Sequence, residues 1–254
     1  MIRKISILAV AAGIIALAAG QAPAQHKWHG GLKAGFASSQ FKGDPVAKWV
    51  YNPIAGYYLT GNVGNKLPGF VGGGFFRRDF DTWFAVQLEL LYIQKGGQGP
   101  VSGNFKLEAN DNLTYDGVVN GDLTVRMDYV EFPLLAVFRF PKDDAGKVGF
   151  TAEVGPSVGY NTRAEAQLTG EATVPLPDGS NRVQNIDERI PINGNINRWA
   201  VTGVVGAALE FYLAKQTIVL DGRYEFDVTS ISADQSSYNH TFSLTIGFMA
   251  PITK

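Results

Sequence analysis

The chain has 254 residues, with 22 basic and 23 acidic side chains, 30 glycines, 16 phenylalanines and no cysteine. A formal net charge of −1 does not supply the basic stripe that a nucleic-acid partner requires. The missing thiols exclude a disulfide framework, a thiolate metal site and a cysteine nucleophile, and high glycine and aromatic content without helix-length periodicity points to β structure.

At the N-terminus, Arg3 and Lys4 precede the almost wholly apolar run Ile5–Ala19, and Ala22-Pro23-Ala24 offers small residues where a signal peptidase cuts. The run is shorter than the ~20 residues of a spanning helix. We therefore expect a cleaved signal peptide over residues 1–24 and one mature domain over 25–254, starting at Gln25. Removing Arg3 and Lys4 leaves 20 basic against 23 acidic residues. No later segment is apolar for long enough to form a spanning helix, so a membrane location would have to be reached with strands.

Period-two alternation, the signature of a strand, then recurs along the chain. Two weaker candidates come first, Trp28–Ala37 and Gly69–Phe80. Phe84, Val86, Leu88, Leu90 and Tyr92 alternate with Ala85, Gln87, Glu89 and Leu91. Val130, Phe132, Leu134, Ala136, Phe138 and Phe140 oppose Glu131, Leu135, Val137 and Arg139. Phe150–Tyr160 and Trp199–Phe211 follow the same pattern, with Glu153 and Glu210 on their polar faces. From Thr217 to Val228 the polar face carries Asp221, Arg223, Glu225 and Asp227 opposite Ile218, Leu220, Tyr224 and Phe226. The last strand alternates Phe242, Leu244, Ile246 and Phe248 with Thr241, Ser243, Thr245 and Gly247.

These segments predict about eight strands. The connections near Asp79–Asp81, Pro141–Lys147 and Ala214–Gln216 read as short. Those over Ser38–Pro68, Gly96–Asp122, Leu168–Asn197 and Thr229–Asn239 read as long. Strict alternation of long and short predicts an all-β, antiparallel, up-and-down transmembrane β-barrel with periplasmic turns and long extracellular loops. Periodicity alone leaves open whether the greasy face points in, as in a soluble barrel, or out. Outward is favoured by the small residues of the polar face, by aromatics at the ends of the greasy faces, and by strand lengths near the ~9–11 residues that cross a bilayer. Pro133 and Pro156 fall inside strands, where each removes a ladder donor, so bulges are expected beside them.

The ordered runs Gly31-Leu32-Lys33-Ala34-Gly35, Gln87–Tyr92 with Gln94-Lys95-Gly96, Asp128–Leu135, Glu153-Val154-Gly155-Pro156 and the strand ending Gly247-Phe248 resemble the PorT-like outer-membrane β-barrel family, often called porin family proteins. The resemblance covers nearly all of the mature chain. It implies a Gram-negative cell outer membrane location, a barrel fold, and partners among outer-membrane lipids and the barrel-assembly machinery. It carries over no catalytic residues, and an envelope or extracellular protein partner stays unidentified. One departure is that Phe248 is followed by six further residues, whereas such barrels commonly end on an aromatic.

Glu89, Glu131, Arg139, Glu153, Glu210, Asp221, Arg223, Glu225 and Asp227 are expected to line the lumen in a structural role. Eight strands leave an interior just wide enough for side chains, and buried charges must pair. A plugged lumen with a structural or surface-interaction role is the leading reading. A narrow porin-like channel for small solutes is the alternative, and a lipid-modifying barrel enzyme comes third. The enzyme would need a His–Ser type pair. The only histidines are His26, His29 and His240, and Ser243 lies on the opposite strand face from His240. Asp143-Asp144 reads as a solvated turn, and Gly72-Gly73-Gly74 as a flexible or closely packed strand segment without the lysine of a phosphate loop. No catalytic, cofactor or metal site is expected.

Overall fold

A computed structural model describes residues 28–44, 57–108, 114–140, 147–176, 179–194, 196–213, 216–232 and 236–252. The expected signal peptide, His26, Asp143-Asp144 and most of the two turns at 141–147 and 214–216 lie outside the described residues. Ten strands follow in order: β1 (Trp28–Gly43), β2 (Tyr57–Gly61), β3 (Leu67–Asp79), β4 (Phe84–Glu108), β5 (Thr114–Arg139), β6 (Val148–Pro175), β7 (Asn181–Pro191), β8 (Trp199–Tyr212), β9 (Thr217–Asp227) and β10 (Ser237–Pro251). Every ladder is antiparallel. The pairing path β1–β3–β4–β5–β6–β8–β9–β10 returns to β1, while β2 joins β4 and β7 joins β6 outside that path.

The alternating segments read from the sequence all fall within strands of the closed path. Three of the four stretches expected to be long loops hold strand among their described residues, whereas Thr229–Asn239 connects β9 to β10 and holds only the first residues of β10. Gly96–Asp122 contributes the distal halves of a β4–β5 hairpin, paired from Gly96↔Arg126 to Glu108↔Thr114. Leu168–Asn197 holds the end of β6 and all of β7, and Ser38–Pro68 holds the end of β1, β2 and the first residues of β3. The physical reason is compositional. In the β4–β5 hairpin a period of two persists, but outward positions carry Gln98, Ser102, Asn104, Asn120 and Asp122, which resemble loop composition when the inward partners are overlooked, and β7 is exposed on both faces.

Within the closed path the greasy face turns outward. Leu32 is 70% exposed, Phe36 79% and Ile246 62%, whereas Glu89, Arg223 and Thr241 are buried. Aromatics cluster at two levels. Near the end that carries the termini, Trp83 stacks on Phe138 at 6.3 Å and Phe140 meets Phe150 at 5.2 Å. At the far level, Tyr160 packs edge-on to Trp199 at 4.9 Å. Phe150 and Tyr160 are ten residues apart on β6, roughly 33 Å along a strand. With a tilt of about 35–45° this gives a height of roughly 25 Å, the height of an outer-membrane apolar band.

Neither strand proline shifts the register. The β4–β5 ladder pauses at Phe132-Pro133, but Leu88↔Leu134 and Leu91↔Glu131 hold the same register on either side. The β5–β6 ladder pauses at Gly155-Pro156 between Pro133↔Ser157 and Ala136↔Val154, again in one register. The expected bulges at the prolines are thus replaced by gaps. A missing donor leaves an unpaired step without requiring an inserted residue. The register shift in β5–β6 lies instead at Asp128/Tyr129, where Asp128 pairs with Arg163 and Tyr129 with Asn161. Thr162 is the extra residue, and its hydroxyl donates to the Asp128 carbonyl at 3.1 Å.

That level is a boundary across three strands in register, through Tyr92↔Val130, Ile93↔Tyr129 and Tyr129↔Asn161. Below it the interior holds the buried charges, with two small apolar clusters packed among them, one of Phe75, Ala208, Val219 and Met249 and one of Ala85, Leu135, Val137 and Val204. Above it, away from the termini, Ile93, Leu123, Val125, Met127, Tyr129, Ala164, Ala166 and Leu168 are buried within one apolar cluster with Phe41, Leu59 and Ile192. On β4 and β5 the apolar residues change face by composition. On β6 they stay at even positions throughout, and the Thr162 bulge turns them from outward (Val154, Val158) to inward (Ala164, Ala166, Leu168).

Candidate functional site

The distinctive chemistry lies inside the band between the two aromatic levels. Alternation on β9 aims Asp221, Arg223, Glu225 and Asp227 inward in succession, and β4 aims Gln87, Glu89 and Lys95 at the same space. β1 supplies Lys33, β3 Arg77, β5 Glu131, β6 Glu153 and β8 Glu210, all buried.

These side chains stack in tiers along the axis. Nearest the termini, Arg139 pairs with Asp79, and His29 Nδ1 lies 3.6 Å from the other Asp79 oxygen. In the next tier Arg77 pairs with Glu210, donates from Nε to Gln87 at 2.6 Å, and lies 3.6 Å from Glu153. Tyr212 donates its hydroxyl to Glu210 at 2.5 Å. In the middle tier, Arg223 forks onto Glu89 at 2.7 and 2.8 Å and also reaches Glu153 at 2.5 Å and Asp221 at 2.8 Å. Lys33 binds Glu89 at 2.9 Å and Asp221 at 3.1 Å. Above that, Lys95 holds Glu131 at 2.7 Å and Glu225 at 2.9 Å, with Asp227 at 3.9 Å. Thr202 and the Asn239 amide donate to Asp227 at 3.0 and 3.2 Å. A cavity of about 10 Å³ between Lys33, Arg77, Asp221 and Thr245 has room for about one water.

Of the nine residues expected to face the lumen, eight are buried in the upper three tiers. Arg139 stands apart with Asp79 at the terminal end and is only partly buried. Sequence reasoning passed over the cations that hold the acids, namely Lys33, Arg77 and Lys95, together with Gln87. A signal for them was present. The expected inward set held seven acids and two arginines, and burial cannot sustain that excess. Lys33 alternates with Leu32 and Ala34, and Arg77 follows Phe76, so the same period-two rule would have placed both inside.

The arrangement binds strands to one another across the interior. The middle tier alone joins β1, β4, β6 and β9. Among the described residues no group of three His, Asp or Glu side chains is placed to hold a metal ion. His240 faces outward and its Nδ1 lies 2.5 Å from the Tyr224 hydroxyl, whereas Ser243 is buried on the inward face of the same strand. No nucleophile–base pair forms there. Gly73 is required by the wall itself, because a Cβ there would lie 2.0 Å from the Leu90 carbonyl oxygen.

Comparison with known proteins agrees with this architecture at the level of family. No curated protein sequence matches the chain. Among solved structures, the attachment invasion locus protein Ail of Yersinia pestis aligns at 13% identity over 88% of this chain and 99% of its own, with a TM-score of 0.37. Neisserial surface protein A aligns at 10% identity over 89% and 99%, with a TM-score of 0.39. OprG of Pseudomonas aeruginosa aligns at 12% identity over 90% and 97%, with a TM-score of 0.36. Likeness at this level carries no statement about what this chain binds. The outer membrane protein beta-barrel domain matches residues 19–233, and with most of its length inside that match the chain belongs to this family of outer-membrane β-barrel proteins.

Proposed function

We propose that the protein is a non-catalytic, non-conducting outer-membrane barrel that holds a folded strand extension at the cell surface for interaction. The observation that carries this reading is the pairing of two interiors on one axis. The ion-pair tiers fill the band, and the apolar cluster around Met127, Tyr129 and Leu168 lies directly above them. A hydrated conduction path would have to part both. The signal peptide over 1–24, the periplasmic position of the termini and the lumen-lining structural role of the tier residues belong to the same proposal. So does the narrower PorT-like assignment, which rests on the ordered runs Gly31–Gly35, Gln87–Tyr92 with Gln94–Gly96, Asp128–Leu135, Glu153–Pro156 and Gly247-Phe248. In this topology the β4–β5 hairpin and the β6–β7 hairpin stand outside the cell.

The test is planar-bilayer recording from refolded protein, which is expected to show no stable single-channel steps. Reproducible steps whose size changes when Lys95 is shortened or charge-reversed would replace this reading with the narrow channel. One observation favours that second reading. Thr241, Thr245 and Ser157 bury hydroxyls with no hydrogen-bond partner among the described residues, which suits a thread of water beside the tiers. Orientation is tested separately by labelling a tag inserted at Ser180 on intact cells. Labelling only after the outer membrane is opened would invert the topology.

A further inference from the structure

The lipid-facing wall is not uniform. On the outward face of β3 the residues run Phe70, Gly72, Gly74, Phe76, Arg78. The two glycines sit beside Ala34 and Leu32 on β1 and beside Tyr92 and Leu90 on β4. The Phe70 ring folds over Gly72, where a Cβ would lie 2.8 Å from it, while the missing side chain at Gly74 leaves open an apolar groove of about 970 Å³ bounded by Phe70, Leu90, Ile246 and Phe248. Wall packing does not demand the glycine at 74. A Cβ there would meet nothing nearer than 3.5 Å, so the groove is open although a side chain would fit.

Arg78 lies beyond this groove, toward the termini, with the exposed Phe76 between it and Gly74 on the same face. Its guanidinium carbon sits 5.2 Å from the Trp28 ring centre and 4.8 Å from that of Phe80, held between two aromatic faces. Its Nε is buried without a hydrogen-bond acceptor. Among the described residues no carboxylate pairs with it, because the adjacent Asp79 is taken by Arg139 and His29. An unpaired arginine at an aromatic belt is ordinarily free to snorkel into water. Here two rings fix it in place, and the guanidinium's fork geometry matches a phosphate. Gly74 is four residues away, roughly 13 Å along the strand, within the length of an acyl chain.

We propose that this wall binds one glycerophospholipid of the periplasmic leaflet, with its phosphate on Arg78 and an acyl chain running past Phe76 into the groove over Gly74, against the Phe70 ring. The proposal rests on the reading that the termini are periplasmic, but its test does not. Mature protein in detergent is titrated with dioleoylphosphatidylglycerol, and retained lipid is counted by native mass spectrometry, with dioleoylglycerol as a phosphate-free probe. One phospholipid is expected on a monomer, and no dioleoylglycerol. Arg78→Gln should retain the phospholipid about tenfold less well, the loss of one charge-assisted contact. Arg78→Lys should restore only part of the retention, because it returns the charge without the fork, and Gly74→Leu should lose it with Arg78 intact. The cold gel mobility of each variant reports whether its barrel has folded, and Arg78→Lys with Gly74→Leu decides the matter if Arg78→Gln does not fold. Equal retention by Arg78→Gln, equal binding of dioleoylglycerol, or a lipid-free dimer seated through the groove would each overturn the proposal.

Discussion

The interior below Tyr129 and the interior above it obey opposite rules. Below, strands turn Leu32, Leu88, Val154 and Ile246 outward and bury Lys33, Glu89, Glu153 and Arg223. Above, β5 and β6 bury Leu123, Met127, Ala166 and Leu168 and turn Arg126, Arg163 and Asp122 outward. What differs is the solvent. Within the band the outside is hydrocarbon, so charge can be placed only inside, where it must be paired. Beyond the band the outside is water, and ordinary apolar burial returns as the dominant stabilising term. The change occurs at one level on β5 and β6, at Tyr129 and Asn161, while on β4 Lys95, beside Met127, still sends its charge to Glu131 just below that level.

The largest way to break this contrast is to remove the hub of the polar interior. Arg223→Ala leaves Glu89, Glu153 and Asp221 with Lys33 and the more distant Arg77. Uncompensated buried charge of this kind costs about 3–5 kcal/mol. The urea midpoint of the refolded barrel in detergent should fall accordingly. A midpoint within error of wild type would mean that the tiers are hydrated and the interior is not sealed.

The apolar interior predicts a different response. Leu168 is fully buried, and Leu168→Ala should cost about 2–5 kcal/mol, as in a soluble core. Because the apolar cluster and the tiers lie on the same strands but share few partners, the two losses should add within about 0.5 kcal/mol. Strong coupling between Arg223→Ala and Leu168→Ala would show that the two interiors fold as a single unit.

One substitution placed in both regions sharpens the comparison further. Ile246 is 62% exposed in the band, and Val183 on β7 is 57% exposed beyond it. By exposure alone the two are equivalent. Ile246→Arg puts a charge into hydrocarbon, at about 2–4 kcal/mol near the bilayer midplane. Val183→Arg puts one into water and should stay within about 0.5 kcal/mol. Equal effects, measured by unfolding from lipid vesicles, would remove the membrane from the explanation.

Much of the barrel was legible because period two is a local property. Each of the segments Phe84–Tyr92, Thr217–Val228 and Thr241–Phe248 declares both faces within a dozen residues. The extension was harder to read for a physical reason. On β6, apolar residues occupy even positions from Ala152 to Val174, and nothing in that pattern records that Thr162 is unpaired and reverses their direction. On β4 and β5, Gly97, Gly99 and Gly121 dilute the apolar face, so strand looked like loop. In the site, acids were legible as a run on β9. Lys33, Arg77 and Lys95 each stand alone on a different strand, and only closure of the barrel brings them to the acids.

The gentlest test follows one outward face through the boundary. Leu88, Leu90 and Tyr92 on β4 continue, on the same side of the strand, into Gln98, Ser102 and Asn104. The protein has no cysteine, so a single spin label can be placed at each position without background. All are outward positions, and labelling should change stability by no more than about 0.5 kcal/mol. Labels at 88 and 90 should relax with a lipid-soluble agent such as oxygen and be shielded from a water-soluble metal complex. Labels at 98, 102 and 104 should show the reverse, and position 92 should respond to both, because its ring lies at the interface. A soluble barrel gives water access along the whole series. A barrel whose apolar band continued into the extension would move the crossover beyond 98. A crossover at 92 requires that one face of an unbroken strand passes from hydrocarbon into water at the level where β5 and β6 exchange buried charge for apolar packing.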